Sequence, residues 1–258
     1  MKGVLRRLMQ WFRRPRSGRR FGRPDVARIY LRGQGIEIGA LHRPLRVPAS
    51  AHVSYVDRFP REELYRQYPN LADHNLVPVD IVDDAERLAR VADESQDFVI
   101  ANHFLEHCQD PIGTLLHFFR VLREDGILFL TVPDKRYTFD CGRPVTPLEH
   151  LLADHECGAE HSRRAHVCEF VRLVLKAVEP DDVQRKTDRL LATDFSIHYH
   201  VWTQTELMEL LLELRRRLPF EVELFLRRAY EILIILRKGN GSAENLPMPK
   251  TALEHVAT

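Results

Sequence analysis

Gln34-Gly35-Ile36-Glu37-Ile38-Gly39-Ala40 decides the fold of this chain, together with Asp57, eighteen residues beyond Gly39 at the end of a second apolar run. The order reads strand, glycine turn, helix, strand, acid. A glycine directly after a buried strand lets a ligand approach the backbone. An acid at the end of the next strand can accept both hydroxyls of a ribose. The stretch predicts an adenosine-bearing cofactor in a doubly wound α/β domain.

Strands and helices alternate on either side of it. Asp25–Leu31 is patterned as a short helix leading into the first strand, and Leu41–Pro48 is a turn region rich in proline. His52–Val56 alternates like a strand, Arg61–Tyr68 is helical in pattern, Val77–Ile81 is a short third strand and Asp84–Val91 a short helix. Asp97–Asn102 is a continuous apolar strand, as expected when both faces of a sheet are covered. Pro111 opens a helix with Ile112, Leu115, Leu116, Phe119 and Leu122 at helical spacing, and Ile127–Val132 is another buried strand. Thr205–Leu218 is an amphipathic helix, and Phe220–Leu226 with Tyr230–Leu236 reads as an antiparallel pair. The fold expected is α/β: a Rossmann-like, doubly wound, mostly parallel sheet with an antiparallel last strand, binding ligands beyond the carboxyl ends of its strands.

Between Asp134 and about Tyr199 the pattern turns polar and rich in His, Arg and Asp, with helical pieces near Pro147–His155 and Ser162–Lys176. This is too long for a plain connection between sheet strands, so a helical cap insertion is expected. The chain divides into a basic arm (1–24), the cofactor-binding half of the domain (25–134), an acceptor-binding cap (135–200), a helix and strands that complete the sheet (201–238), and a loose tail (239–258).

Composition narrows the class. A hydrophobic fraction of 44% over 258 residues suits one globular domain with elaboration. Cys108, Cys141, Cys157 and Cys168 form no CxxC pair, which argues against a zinc ribbon or disulfide framework and for reduced thiols in the cytoplasm. The first 24 residues carry nine Lys and Arg and no acid, so the rest of the chain is acidic by eight within a net charge of +1. Val4, Leu5, Leu8, Met9 and Phe12 recur at helical spacing beside Trp11, a pattern suited to lying on the anionic inner face of a membrane. A solvated arm is the plainer alternative. The acidic body would repel nucleic acid, so no nucleic-acid partner is expected. No apolar run approaches the roughly 18–20 residues of a spanning helix.

The succession Glu37-Ile-Gly39-Ala, Tyr55-Val-Asp57, Ser95-Gln-Asp97-Phe-Val, His103-Phe-Leu-Glu106-His107, Asp110-Pro111 and Arg120-Val-Leu-Arg-Glu-Asp-Gly126 resembles the class I S-adenosylmethionine-dependent methyltransferases, closest to their type 11 branch. The likeness covers roughly residues 33–134. Pro133–Asp140 and Arg143–Asp154 look like a bacterial subgroup associated with surface-polysaccharide and glycosyltransferase loci. The resemblance implies S-adenosylmethionine as cofactor. It places Glu37 and Gly39 beside its methionine and ribose, Asp57 on the ribose hydroxyls, Asp83 or Asp84 with Ala85 beside the adenine, and Asn102 and His103 facing the methionine moiety. One departure stands out: the family has three alternating glycines, and Leu41 and Arg43 occupy the places of the later two. A pyrophosphate would need those glycines, and S-adenosylmethionine carries none.

Methyl transfer to an alcohol needs the acceptor held near the methyl carbon and a base for its proton. The cap supplies Asp134, Asp140, His150, Asp154, His155, His161, His166, His198 and His200. Asp134, His150, His198 and His200 are the candidates for the base, while Lys135, Arg136, Arg143 and Asp154 suit contact with an anionic sugar intermediate. In a second arrangement His150, Asp154 and His198 or His200 bind a divalent metal that orients a diol. The expected acceptor is an oxygen of a sugar or glycan intermediate. The alternatives are a small metabolite or lipid quinone, or a non-catalytic scaffold for a glycosyltransferase partner.

Overall fold

The computed structural model describes residues 21–239. The basic arm up to residue 20 and the tail from residue 240 lie outside the described residues. Arg23 and Pro24, counted with the arm by charge, already open the first helix, α1 (Arg23–Tyr30).

Seven strands form one sheet: β1 (Gly33–Ile38), β2 (Ala51–Asp57), β3 (Ile81–Val82), β4 (Gln96–Asn102), β5 (Leu122–Pro133), β6 (Phe220–Arg228) and β7 (Glu231–Lys238). Their order is β3-β2-β1-β4-β5-β7-β6, with β1 to β5 mutually parallel and β7 antiparallel to both of its neighbours. This is the expected fold class. The apolar run of β4 alternates between two cores. Phe98 and Ile100 pack with Val26, Ala27 and Leu31 around α1. Val99 and Ala101 face the larger cluster, formed with Leu115 and Phe118 of α3 (Pro111–Val121) and Leu207 and Leu211 of α7 (Gln204–Arg215). Phe98, Phe118 and Phe129 are fully buried, each contributing roughly 1.5–3 kcal/mol of transfer free energy. Gly35 is dictated by this packing, since a Cβ there would stand 2.3 Å from the Phe98 carbonyl oxygen.

Three local expectations are corrected. No helix joins β1 to β2; residues 39–50 form a loop. Pro44 and Pro48 force the residues before them out of the helical region, and Leu41 is left-handed at φ 51. Residues 84–91 form turns instead of a helix, because the Asp83 carboxylate accepts from the Asp84 and Arg90 amides and competes for the backbone. β3 is only Ile81–Val82. The helix after β2 forms as α2 (Arg61–Gln67).

The long segment between β5 and α7 leaves and returns at one place. Asp134 bridges to Trp202, and the Lys135 amide donates to the Trp202 carbonyl at 3.0 Å. Within it lie α4 (Leu148–Cys157), α5 (Glu160–Leu173) and α6 (Pro180–Ala192). The α6 helix is additional to the sequence pattern. Val167, Phe170, Val171, Val183, Leu190 and Ile197 give this segment an apolar cluster of its own. Leu151 of α4, however, belongs to the main core, so the first cap helix is rooted on the sheet's helical layer.

Candidate active site

The chain runs outward from β1 to β3 and resumes at β4 on β1's other side, so loops diverge between β1 and β4. Gly39 sits at this point with φ +61, its amide donating to the Val56 carbonyl at 3.0 Å. A Cβ built on Gly39 would meet no atom within 4 Å, so the backbone faces open space. Leu41 adopts the left-handed conformation that a glycine would favour, which keeps the turn despite the substitution.

Glu37 is buried, and both carboxylate oxygens accept from the Leu45 amide, at 3.0 and 3.1 Å. Asn102 Nδ2 donates to Glu37 Oε1 at 3.3 Å, and Thr131 Oγ1 donates to Asn102 Oδ1 at 3.0 Å. Burial pushes the Glu37 carboxyl up to about 7, against the lowering by Leu45 and Asn102. Glu37 thus anchors the loop after Gly39 to the ends of β1, β4 and β5.

Asp57 ends β2, accepting from the Arg58 amide at 2.8 Å. Burial pushes its carboxyl up to about 6, against the Arg58 amide and charge. Asp83 spends its carboxylate on its own loop, and Asp84 accepts from the Glu86 amide at 3.0 Å and pairs with Arg87. Ala85 is buried as part of the main core.

His103 follows β4 at φ +53. Its Nε2 lies 3.0 Å from Glu231 Oε2 and its Nδ1 3.4 Å from Glu106 Oε1. Burial alone would lower the imidazole pKa; the two carboxylates outweigh it and raise it to about 9. Sequence reasoning assigned no role to Glu106 or Glu231. The three-residue offset from His103 could have signalled Glu106, whereas Glu231 arrives only through the register of β5 with β7.

On the cap side, His198 Nδ1 lies 2.7 Å from Asp140 Oδ2. Arg143 grips the same carboxylate at 2.9 Å and also donates to Glu169 and to the carbonyls of His198 and Tyr199. Burial would raise the Asp140 carboxyl, but His198 and Arg143 hold it below the usual range. Glu106, His107 and His198 each bring one ligand-capable atom within 4.8 Å of the others, which links this dyad to the end of β4. Burial, then the nearby His198, lowers His107 to about 4.

Other cap residues have structural engagements. Asp134 is fully buried, and Arg136 forks onto its two oxygens at 2.9 and 2.7 Å. Asp134 therefore caps the turn Lys135–Tyr137 and is not a free base. Lys135 is buried and donates to the Cys141 carbonyl at 3.2 Å. Arg143 is buried and makes four hydrogen bonds inside the cap, so it organises the dyad rather than facing a ligand. His150, Asp154 and His200 come together, joined by His166, while His198 stands apart on Asp140. Burial lowers His200 well below its ordinary range and His166 to about 4.

A family model described as methyltransferase domain matches residues 37–214. The chain belongs to this methyltransferase domain family. Solved structures similar to it include a SAM-dependent methyltransferase from Methanosarcina mazei, 19% identical, covering 82% of this chain and 95% of that one with a TM-score of 0.45. Another is a SAM-dependent methyltransferase from Thermotoga maritima, 16% identical, covering 92% and 97% with a TM-score of 0.44. No curated protein matches the sequence.

S-adenosylmethionine is the cofactor that the sequence resemblance implies for this methyltransferase, and the strand ends fit that group. The open space before Gly39 admits a ligand to the backbone, and Asp57 at the tip of the adjacent strand can accept from a ribose. Among the described residues no helix is long and apolar enough to cross a membrane.

Proposed function

We propose that this methyltransferase transfers a methyl group to a hydroxyl oxygen of a sugar or glycan intermediate, with His198 as the base. The observation that carries this reading is the His198–Asp140 pair at 2.7 Å, tied to the end of β4 through Glu106. With Nδ1–H donated to the buried carboxylate, Nε2 is the nitrogen left to accept a proton. Asp140 fixes the ring, Arg143 fixes Asp140, and Phe139 packs against the imidazole with centroids 4.7 Å apart. S-adenosylmethionine, when bound, supplies an electrophilic methyl carbon. The acceptor oxygen would gain that methyl group, the carbon–sulfur bond pair would stay on sulfur, and His198 would take the hydroxyl proton. Gly39, Asp57 and Asn102 would hold the cofactor, and Glu37 would keep the Gly39 loop in place. The sugar class is supported by the likeness of residues 133–154 to enzymes of polysaccharide loci and by the polar cap.

The test incubates the full chain with S-adenosylmethionine and a panel of nucleotide sugars and glycan oligosaccharides, with methylated product read by mass spectrometry. Methylation of a sugar hydroxyl that is lost in His198→Gln supports the reading. Methylation confined to non-sugar acceptors, or undiminished in His198→Gln, contradicts it.

A further inference from the structure

The structure assigns a second site, independent of the methyl-transfer reading: His150, Asp154, His166 and His200 form a closed, four-ligand site for a zinc-class divalent ion that pins the cap together. The four residues come from three separate pieces of chain. His150 and Asp154 are one turn apart on α4, His166 is on α5, and His200 lies in the segment returning to the sheet. Their ligand-capable atoms converge on one point. Asp154 Oδ2 lies 3.1 Å from His150 Nε2, 3.6 Å from His200 Nε2 and 3.8 Å from His166 Nε2. His150 Nε2 and His166 Nε2 stand 2.9 Å apart. A tetrahedron with metal–ligand bonds of about 2.0–2.1 Å has edges of about 3.3 Å; the four separations straddle that value.

Burial supplies an independent reason for a cation. Asp154 is 1% exposed, yet neither carboxylate oxygen has a hydrogen-bond partner. A buried carboxylate left so is costly unless a charge offsets it. The nearby groups on Oδ1 and Oδ2 are imidazoles, which serve as neutral metal ligands. Three nitrogens and one oxygen suit zinc and its transition-metal neighbours and do not suit magnesium or calcium, which prefer oxygen shells. Four protein ligands leave no open position, the mark of a structural ion. Its place explains what it would hold. His200 Nε2 also lies 3.3 Å from the Gln109 carbonyl, and the Tyr199 amide donates to the Glu106 backbone carbonyl at 2.7 Å. The ion would fasten the segment carrying His198 to α4, α5 and the loop that follows β4.

The test uses the full chain after removal of any affinity tag. Metal content is measured by mass spectrometry as isolated and after chelation. Zinc is then titrated back in competition with a colorimetric chelator, with melting followed in parallel. The expected result is about one zinc-class ion per chain, a melting temperature that falls on chelation and recovers with zinc, and no recovery with magnesium. His166→Ala should weaken zinc binding by more than about 100-fold, beyond the effect of outer-shell changes. Because His166 is buried, His150→Gln at the more exposed edge and Asp154→Asn, which keeps the side chain's shape, serve as second variants and should weaken it likewise. No zinc uptake by the chelated chain, or uptake unchanged in the folded His150→Gln and Asp154→Asn variants, would overturn the assignment.

Discussion

Asp140 Oδ2 lies 2.7 Å from His198 Nδ1 while Arg143 Nη1 holds Asp140 Oδ1 at 2.9 Å, so one buried carboxylate orients the imidazole and is itself oriented. Replacing Asp140 with Asn preserves volume and one oxygen but removes the charge that selects the His198 tautomer. The expected outcome is a fall in kcat of about 10²–10⁴, the range for loss of a positioned base, with cofactor affinity unchanged. Steady-state kinetics beside cofactor titration checks the split.

Gly39→Ala isolates the backbone requirement. The φ of +61 is strained for an L side chain, and the added methyl would enter the space left for a ligand. A left-handed residue with a Cβ costs roughly 1–2 kcal/mol. Melting should therefore shift modestly while affinity for S-adenosylhomocysteine falls about tenfold or more, read by calorimetry.

Glu37 gives the fold a pH dependence of known sign. Its folded pKa of about 7 exceeds the ordinary 4.5, so the native state binds more protons across that window. Its contribution to stability therefore declines as pH rises from about 4.5 to 7, by on the order of 3 kcal/mol. Glu37→Gln cannot ionise. Urea denaturation at pH 5 and pH 8 should show the variant gaining on the natural protein at the higher pH.

Much of this was legible in the sequence, for physical reasons. Phe98–Ala101 reads as a strand because both of its faces are buried, and the closing antiparallel pair announces itself by two apolar runs with a short polar joint. Gly39 and Asp57 are local signals at strand ends. What sequence could not resolve were contacts made by distant chain. Glu231 reaches His103 across the sheet, and Arg143 looks like a surface cation yet is buried against Glu169, His198 and Tyr199. Asp134 is a local case: it looks like a base yet is sealed by Arg136, two residues on. The missing helices after β1 and β3 have a different origin. There proline and an aspartate side chain override a weak helical pattern.

The basic arm carries a separate proposal, that residues 1–20 bring the enzyme to an anionic membrane surface. Because α1 begins at Arg23, the deletion should stop at residue 20. The full chain is expected to sediment with vesicles containing anionic lipid, more weakly at high salt, and the shortened chain to stay in solution. Equal sedimentation of both would contradict the proposal.

The most direct test of the account is calorimetric titration of the natural protein and of Asp57→Ala with S-adenosylmethionine and S-adenosylhomocysteine. The natural protein should bind both with dissociation constants on the order of micromolar. Since the Asp57 carboxyl titrates at about 6, its affinity should fall about tenfold between pH 7.5 and pH 5 as the acceptor is protonated. Asp57→Ala should bind more weakly by about 1–3 kcal/mol and lose that pH dependence. Absence of binding to the natural protein at millimolar ligand, or equal affinity in Asp57→Ala, would contradict the placement of the cofactor at these strand ends.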